Sequence, residues 1–595
     1  MSKNIEKVAV QRARAHRPWV LAWAAAALLA ACGGSSSPPL ASQPPASEPP
    51  PAAADPALRQ TSAGALQGVD DSARSGTYFW KGVPYAQAPT GALRWRAPAA
   101  PEAWSGVRPA KSFASACLQI GRMFGPGANN TYDATIGTTM GQPVGSEDCL
   151  YLNIWRPASD EKNLPVLVFV HGGSNISGYT ADPIYDGANL AKAANAVVVT
   201  VNYRLGILGF LNVPQLAQAD GEESGNFALL DIAAALKFVQ SDIAGFGGNP
   251  SNVTLSGESA GAVNLLAMMS SSRNAGLFHK AIEMSGGVSI ASNLPPRTVP
   301  ALSPASASLA QGQGILASLL VADGTAADAT AAQAYIAGRT PEQIAAYLRG
   351  KDGSALLKVV LAAGLNAANP IPDGKVVPLD PIGALAAGQG LNMPLMAGTT
   401  REEGKLFASL LPSLSPTFKP GWIVNDATRF SMMFDNDPDA PAKVATGDII
   451  DASYLPVDTP VTGFNAATGL ITAGLFEANR DNLLNTLKPN QARLWHYRFD
   501  WAQQPAPWND VYGAAHAFDL PFLFGNFGPS LLASVAFSKA NEPGRVALSK
   551  AFMASIGAFM RTGDPNTAAL GASWSPWPAS LLLDATPTTA KITAQ

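Results

Sequence analysis

The stretch VTLSGESAGA, residues 253–262, places one serine between two glycines, a spacing that suits a nucleophile. The residues before Ser259 are apolar and β-branched, as in a buried strand, and the alanine-rich residues after it are typical of a helix. Gly257 and Gly261 remove the Cβ atoms that would clash where a strand reverses sharply into a helix, and they leave the serine hydroxyl exposed. The pattern predicts a nucleophile elbow. A tight turn without chemistry is the alternative that these five residues leave open.

A serine nucleophile needs a general base within hydrogen-bond reach, and the chain has five histidines to supply it. His16 lies in the N-terminal segment discussed below. His171 lies in a glycine-containing loop, and His279 follows Ser259 too closely for an acid to come between them. In hydrolases with this elbow the triad runs serine, acid, histidine along the chain. The base is therefore sought nearer the C-terminus.

Two histidines remain, His496 and His516. His496 lies in RLWHYRF, an alternating aromatic run in which packing within a sheet is the expected role. His516 follows small residues and precedes AFDLPFLFGN, which is typical of a loop that reaches back across a site. We predict His516 as the general base.

The acid of such a triad accepts the imidazole N–H and stabilises the imidazolium. It is expected at the end of a strand between the serine and the histidine. PLMAGTT, residues 394–400, is such a strand, and Glu402 and Glu403 follow it. The residues themselves leave both glutamates open, and either could be a solvated loop charge.

An apolar strand also leads into a glycine-containing loop at PVLVFVHGGSNISG, residues 165–178. Acyl transfer develops negative charge on an oxygen, which backbone N–H groups stabilise where glycine lets the backbone approach closely. We predict that the loop at Gly172 and Gly173 forms an oxyanion hole together with Ala260, the residue after the nucleophile. A strand-ending glycine turn is the alternative.

The chain resembles the type-B carboxylesterases, the family that includes the cholinesterases. The resemblance extends from about residue 64 onward, and it rests on KGVPYAQAP from Lys81, SEDCLYLNIW from Ser146, NYRLGILGF from Asn202, GNFALLDIAAALKFV from Gly225, FGGNPSNVTLSGESAGA from Phe246, GTTREEG from Gly398 and HAFDLPFLFGN from His516. It implies an α/β-hydrolase fold, with a central, mostly parallel twisted sheet, helices on both faces and large helical insertions after the nucleophile region. The implied activity is hydrolysis of a small-molecule carboxylic ester through an acyl-enzyme.

The resemblance also implies roles for individual residues. The family's acid is the glutamate directly before a glycine, which selects Glu403 over Glu402. The implied oxyanion donors are the N–H groups of Gly173, Ser174 and Ala260. Many members have glycine where Ser174 stands, so we expect the N–H to persist and the acyl preference to differ. Glu258 matches a family glutamate that tunes the site electrostatically; a turn carboxylate is the alternative.

Two other functions are compatible with parts of this pattern. A catalytically silent cholinesterase-like binding module would share the fold, but such modules have lost the serine, which this chain retains. An amide or carbamate hydrolase could use the same triad. The chain has no CxxC or HExxH pattern, so no metal or other cofactor is predicted.

The N-terminal residues predict export. Basic residues precede an apolar run at residues 19–31 that is shorter than the roughly 20 residues of a spanning helix, so residues 1–31 have the form of a cleaved signal peptide. The sequence LAAC, which ends at Cys32, resembles the lipobox of bacterial lipoproteins, in which the cysteine is lipid-modified. Because Gly33 follows the cysteine, the same resemblance implies the outer membrane. An ordinary signal peptide is the alternative.

The remaining chain is predicted to contain a tether and one catalytic domain. Residues 32–56 are rich in Pro, Ser and Ala and cannot bury a core, whereas residues 57–595 carry every motif above. In an oxidising compartment Cys117 and Cys149 are expected to form a disulfide, which the family resemblance also implies. The net charge of −3 and the lack of a basic stripe do not favour nucleic acid. A membrane is expected as a partner solely through the lipid on Cys32.

Overall fold

A sheet of eleven strands forms the centre of the computed structural model, which describes residues 55–221, 224–366 and 368–595. The predicted signal peptide, Cys32 and nearly all of the predicted tether lie outside the described residues. The described chain falls within one compact unit, Ala54–Gln595.

The strands of this sheet are β1 Val69–Asp71, β2 Thr77–Pro84, β3 Tyr151–Pro157, β4 Leu164–Val170, β5 Val197–Val201, β6 Gly248–Glu258, β7 Lys280–Met284, β8 Leu395–Thr400, β9 Leu494–Phe499, β10 Ser580–Ala585 and β11 Ala590–Ala594. They lie side by side in the order β11-β10-β9-β8-β7-β6-β4-β5-β3-β2-β1. Every pair from β5 to β10 in this order is parallel. The pairs at the two edges are antiparallel. The expectation of a mostly parallel sheet is confirmed.

The α-helices of five or more residues in the described chain are α1 Ala188–Ala194, α2 Pro214–Asp220, α3 Phe227–Asp242, α4 Ala260–Met269, α5 Ala305–Ala322, α6 Ala329–Ala337, α7 Pro341–Arg349, α8 Gly353–Ala362, α9 Pro381–Ala386, α10 Asp426–Phe434, α11 Phe464–Ile471, α12 Ala478–Leu487, α13 Leu520–Phe524 and α14 Glu542–Thr562. Five of them, α5 to α9, separate β7 from β8, and α10 to α12 separate β8 from β9. The predicted helical insertions after the nucleophile region are therefore present.

The core lies on both faces of the sheet. Strand β4 is buried along its whole length, as expected for a central parallel strand. Its side chains alternate, so that Val166 and Val168 join the apolar cluster with α3 and α4, while Leu167 and Phe169 join the cluster with α1 and α14. Apolar packing on two sides fixes the strand ends, where loops can carry chemistry.

The predicted disulfide joins Cys117 to Cys149. Both cysteines are buried and belong to the same apolar cluster as Leu150 and Val170. The bond closes residues 117–149, which lie between β2 and β3, into a loop that contains Arg122. The cysteine prediction is confirmed.

Candidate active site

Ser259 lies at the point where β6 turns into α4. Its backbone angles of φ +55° and ψ −124° fall outside the regions that L-residues usually adopt, which is the strain expected of a nucleophile elbow. A Cβ on Gly257 would lie 2.4 Å from the Gly261 carbonyl, and one on Gly261 would lie 2.1 Å from the Val170 oxygen. Glycine is therefore required on both sides of the turn, as the sequence predicts.

Glu403 and His516 meet through a hydrogen bond of 2.6 Å between the carboxylate Oε2 and the imidazole Nδ1. Glu403 is completely buried at the end of β8. Its other oxygen, Oε1, accepts hydrogen bonds from the Ser285 hydroxyl at 2.6 Å and from the Thr400 N–H at 2.7 Å. Three donors thus fix the carboxylate, which orients the ring through Nδ1 and directs Nε2 to the other side.

Glu402 faces away from the imidazole. Its carboxylate forms ion pairs with Lys405 at 2.7 Å and with Arg401 at 2.9 Å, and it accepts the Ala514 N–H at 2.8 Å. Of the two glutamates that the residues left open, Glu403 alone contacts His516. Glu402 instead links this loop to the segment that precedes the histidine.

The other side of the His516 ring faces Glu258. Nε2 lies 2.9 Å from Glu258 Oε1, and the two groups form an ion pair when the ring is protonated. No hydrogen bond joins Ser259 to His516 within the described ranges, although both residues line the same cavity. Catalytic hydrogen bonds are often long or poorly aligned until substrate binds.

These two carboxylates determine the protonation of His516. Burial favours the neutral ring, but Glu258 and Glu403 together outweigh that effect and raise the pKa of His516 from 6.5 to about 10. The ring is therefore mostly an imidazolium near neutral pH, and its basic form becomes more populated as the pH rises.

The glycine loop after β4 approaches the elbow closely. A Cβ on Gly172 would lie 2.9 Å from the Ser259 Cβ. Gly173 and Ser174 both have positive φ, +95° and +55°, and both line the cavity that contains Ser259. In the described chain the N–H groups of Gly173, Ser174 and Ala260 donate no hydrogen bond. All three remain available to an oxyanion.

Two buried acids that the sequence reasoning missed, Glu283 and Asp519, interact electrostatically with Glu403. Glu283 accepts the Gly286 N–H at 3.1 Å, and Asp519 accepts the Tyr497 hydroxyl at 2.7 Å. Burial raises the pKa of Glu283 to about 8 and that of Asp519 to about 7. Ser285, which was also missed, had one usable signal: it directly follows β7, at the edge of the sheet where the site forms.

The site opens into a cavity of about 250 Å³. Its floor contains Ser259, Glu258 and His516, and the loop residues Gly172, Gly173 and Ser174 line one wall. Apolar side chains line much of the rest, among them Met123, Phe124, Ile184, Leu406, Phe407, Leu520 and Leu532. The lining also contains four further charged residues, Arg122, Asp182, Asp426 and Arg429, and the polar side chains of Ser177, Tyr179, Tyr185 and Ser409. No group of three or more His, Cys, Asp or Glu side chains in the described ranges is placed to hold a metal ion.

Comparison with known proteins places the chain among esterases. Residues 55–594 match the model of the Carboxylesterase family. The para-nitrobenzyl esterase of Bacillus subtilis (strain 168) is 31% identical over 87% of this chain and 91% of its own length. The Fumonisin B1 esterase of Sphingopyxis macrogoltabida is 32% identical over 80% of this chain and 76% of its own length.

Solved structures agree with these matches. A PNB esterase superposes with a TM-score of 0.67 at 27% identity, covering 91% of this chain and 97% of that one. A carboxylesterase from Geobacillus stearothermophilus superposes with a TM-score of 0.65 at 28% identity, covering 91% and 98%. Both share the arrangement of sheet and helices described above. The chain has the α/β-hydrolase fold, belongs to the carboxylesterase family and is a carboxylic-ester hydrolase.

Proposed function

We propose that Ser259, Glu403 and His516 form the catalytic triad of this ester hydrolase. The observation that carries the proposal is the buried Glu403–His516 hydrogen bond of 2.6 Å, which fixes the ring in the cavity that also contains the strained Ser259. Three donors hold Glu403, so the carboxylate has one geometry in which to orient the base.

The reaction follows from these positions. Ser259 Oγ attacks the ester carbonyl carbon while His516 Nε2 accepts the hydroxyl proton. The carbonyl oxygen becomes an oxyanion that the N–H groups of Gly173, Ser174 and Ala260 stabilise. The intermediate collapses, the C–O bond breaks, and the imidazolium returns its proton to the departing alcohol. Water, activated by the same nitrogen, then attacks the acyl-enzyme and releases the acid.

Glu258 has a supporting role in this proposal. Its carboxylate lies 2.9 Å from Nε2, so it stabilises the imidazolium that forms when Ser259 loses its proton. The same contact keeps the resting ring protonated to higher pH. We therefore expect an alkaline optimum, with activity lost as the pH falls through the raised pKa of His516.

We propose further that the protein is exported and attached to the outer membrane by a lipid on Cys32. The support is the sequence alone: a signal-like segment over residues 1–31 and LAAC at the junction. Labelling with a radioactive fatty acid tests this proposal. The full chain should incorporate the label and Cys32→Ala should not, whereas equal labelling of both would refute lipid attachment there.

The catalytic proposal is tested with p-nitrophenyl esters of graded acyl length and a fluorophosphonate. The full chain should release nitrophenol and react with the fluorophosphonate, and Ser259→Ala should do neither while keeping the same thermal unfolding temperature. A folded chain that is inert to both reagents would favour a silent binding module instead. Matched ester and amide substrates would then distinguish an esterase from an amidase.

A further inference from the structure

The charged groups that line the active-site cavity differ in how fully they are paired. Asp426 Oδ1 bonds to Arg429 Nη2 at 2.8 Å, and Glu258 lies against His516 Nε2 at 2.9 Å. Asp182 accepts the Ile184 N–H at 3.0 Å. Each carboxylate of the cavity lining therefore already has a cationic or N–H partner.

The two arginines of the lining are not matched in the same way. Arg122, which is exposed, forms no ion pair with a carboxylate of the described chain. Arg429 is 5% exposed, and its Nε and Nη1 have no hydrogen-bond partner among the described residues. The carboxylate of Asp426 thus interacts electrostatically with both guanidinium groups, but it forms an ion pair only with Arg429.

The Nε and Nη1 donors of Arg429 are buried without a partner, so they cost free energy unless a ligand compensates them. Arg122 is exposed, and its partial desolvation by the surrounding protein lowers its pKa from the usual value. Arg429 is also held in place, since its guanidinium lies 4.7 Å from the Trp422 ring centre and its carboxylate partner comes from the same helix, α10. The positive group is therefore preorganised.

Arg122 comes from a different element. It lies on the loop that the Cys117–Cys149 disulfide closes, beside Met123 and Phe124 of the cavity wall. A planar guanidinium binds a carboxylate in a bidentate manner, with charge-assisted hydrogen bonds. Two separate elements thus bring guanidinium groups to the cavity that contains Ser259.

We propose that this cavity accepts esters that carry a carboxylate, such as half-esters of dicarboxylic acids. In this proposal Arg122 binds that carboxylate, and the positive charge of Arg429 in the same lining also attracts it. The inference rests on the proposed ester hydrolysis at Ser259. It adds the substrate class: an anionic ester is bound in preference to a neutral one of the same size.

The test compares two esters with the full chain. One is mono-(4-nitrophenyl) glutarate, which carries a carboxylate on the acyl part, and the other is its methyl ester at that carboxylate, which is neutral. A second pair places the carboxylate on the alcohol, as 4-butyryloxybenzoate against its methyl ester. Initial rates give kcat and KM for each, at low salt and at 0.5 M salt. A preference for the anion that weakens with salt is expected in at least one pair.

Arg122→Gln is expected to lower kcat/KM for the preferred anionic ester about tenfold, mainly through KM, because one charge-assisted contact is lost. Its kcat/KM for the neutral ester should stay within about twofold of the parent, since Arg122 makes no contact in the proposed triad. Arg122→Lys, which keeps the charge, should retain part of the preference. Arg74→Gln is the matched control, because Arg74 is exposed and lies outside the cavity.

The outcomes separate this inference from the function on which it rests. Two outcomes would overturn the inference and leave the proposed function standing. In one, the neutral esters are hydrolysed normally and neither pair shows a preference for the anion. In the other, Arg122→Gln lowers kcat/KM equally for the anionic and the neutral ester. A folded chain that is inactive on all four esters would refute the proposed function as well. A loss of kcat/KM that occurs only with the anionic ester and only in the Arg122 variant supports both the inference and the proposed function.

Discussion

At the scale of single residues, the site depends on a few groups that burial forces into unusual states. Ser259 keeps a strained backbone because glycines and close backbone contacts leave no relaxed alternative. His516 lies between two carboxylates, which favour its charged form. In the proposed mechanism these states are the physical basis of the chemistry, and each can be changed by one substitution.

Replacing Glu258 with Gln is expected to move the acidic limb of the pH profile to lower pH. The carboxylate raises the pKa of His516, so its removal lets the ring lose its proton at lower pH, by about one pH unit. The maximal rate should fall, because the imidazolium formed in the reaction loses a stabilising charge. The measurement is kcat/KM from pH 5 to 10. An unchanged midpoint would show that Glu258 does not influence the ring.

Glu283→Gln is expected to make stability less dependent on pH. The folded pKa of Glu283 is raised to about 8, so the folded carboxyl keeps a proton that the unfolded chain releases above its ordinary pKa. The parent therefore loses stability as the pH rises from about 4.5 to 8, and Gln, which mimics the protonated acid, does not.

Thermal unfolding at pH 5 and pH 8 measures this difference. Glu283→Gln should unfold at a higher temperature than the parent at pH 8 and at a similar one at pH 5. Glu542→Gln, at an exposed glutamate, is the control and should show no such pattern. A lower unfolding temperature for Glu283→Gln at both pH values would mean that the folded carboxyl is ionised.

At the scale of elements, the site is assembled from strand ends and the loops that follow them. Strands β4, β6, β7 and β8 are parallel neighbours, so their carboxyl ends meet at one edge of the sheet. The glycine loop, the elbow, Ser285 and Glu403 each follow one of these strands. The disulfide-closed loop then supplies part of the cavity wall above that edge.

Replacing Cys117 and Cys149 together with Ala is expected to lower the free energy of unfolding by about 3–4 kcal/mol, the value for a loop of this length. The substitution should also raise KM, because the loop carries Arg122, Met123 and Phe124 of the cavity lining. Thermal unfolding and ester kinetics measure the two effects. Reductant should weaken the parent and leave the double variant unchanged; equal sensitivity of both would contradict the role of this bond.

At the scale of the whole molecule, apolar packing on two faces of one sheet holds the site together. The cluster with α3 and α4 also reaches the N-terminal part of the described chain, where Trp80 Nε1 donates to the Ala57 carbonyl at 2.8 Å. The strand Leu58–Gln60 pairs with Ala65–Gln67 beside it. Within the described residues, the catalytic unit already makes these contacts at Ala57 and Leu58–Gln60.

A chain that starts at residue 55 is expected to keep kcat/KM for soluble neutral esters within about twofold of the full chain, because it retains every contact described here. A chain that starts at residue 69 loses the Leu58–Gln60 pairing and the Ala57 hydrogen bond, and it should unfold at a lower temperature. Activity and thermal unfolding of the two chains test this boundary. If the two chains were equally stable, the N-terminal boundary of the catalytic unit would lie further along the chain.

The sequence by itself determined the features that depend on neighbouring residues. The strand, turn and helix around Ser259 follow from local apolar runs and two glycines, and the order serine, glutamate, histidine can be read along the chain. The pairing of Cys117 with Cys149 follows from the cysteine count once export is assumed. These inferences need no knowledge of which strands become neighbours.

Only the tertiary structure decided the contacts between distant residues. Glu403 meets His516 across 113 positions and Ser285 across 118, and adjacent glutamates could not be separated by local pattern. The contact of Glu258 with His516 Nε2 and the unmatched charge of Arg122 likewise have no local signature. Such contacts depend on strand order and on which loops fold over the sheet edge, and long-range packing sets both.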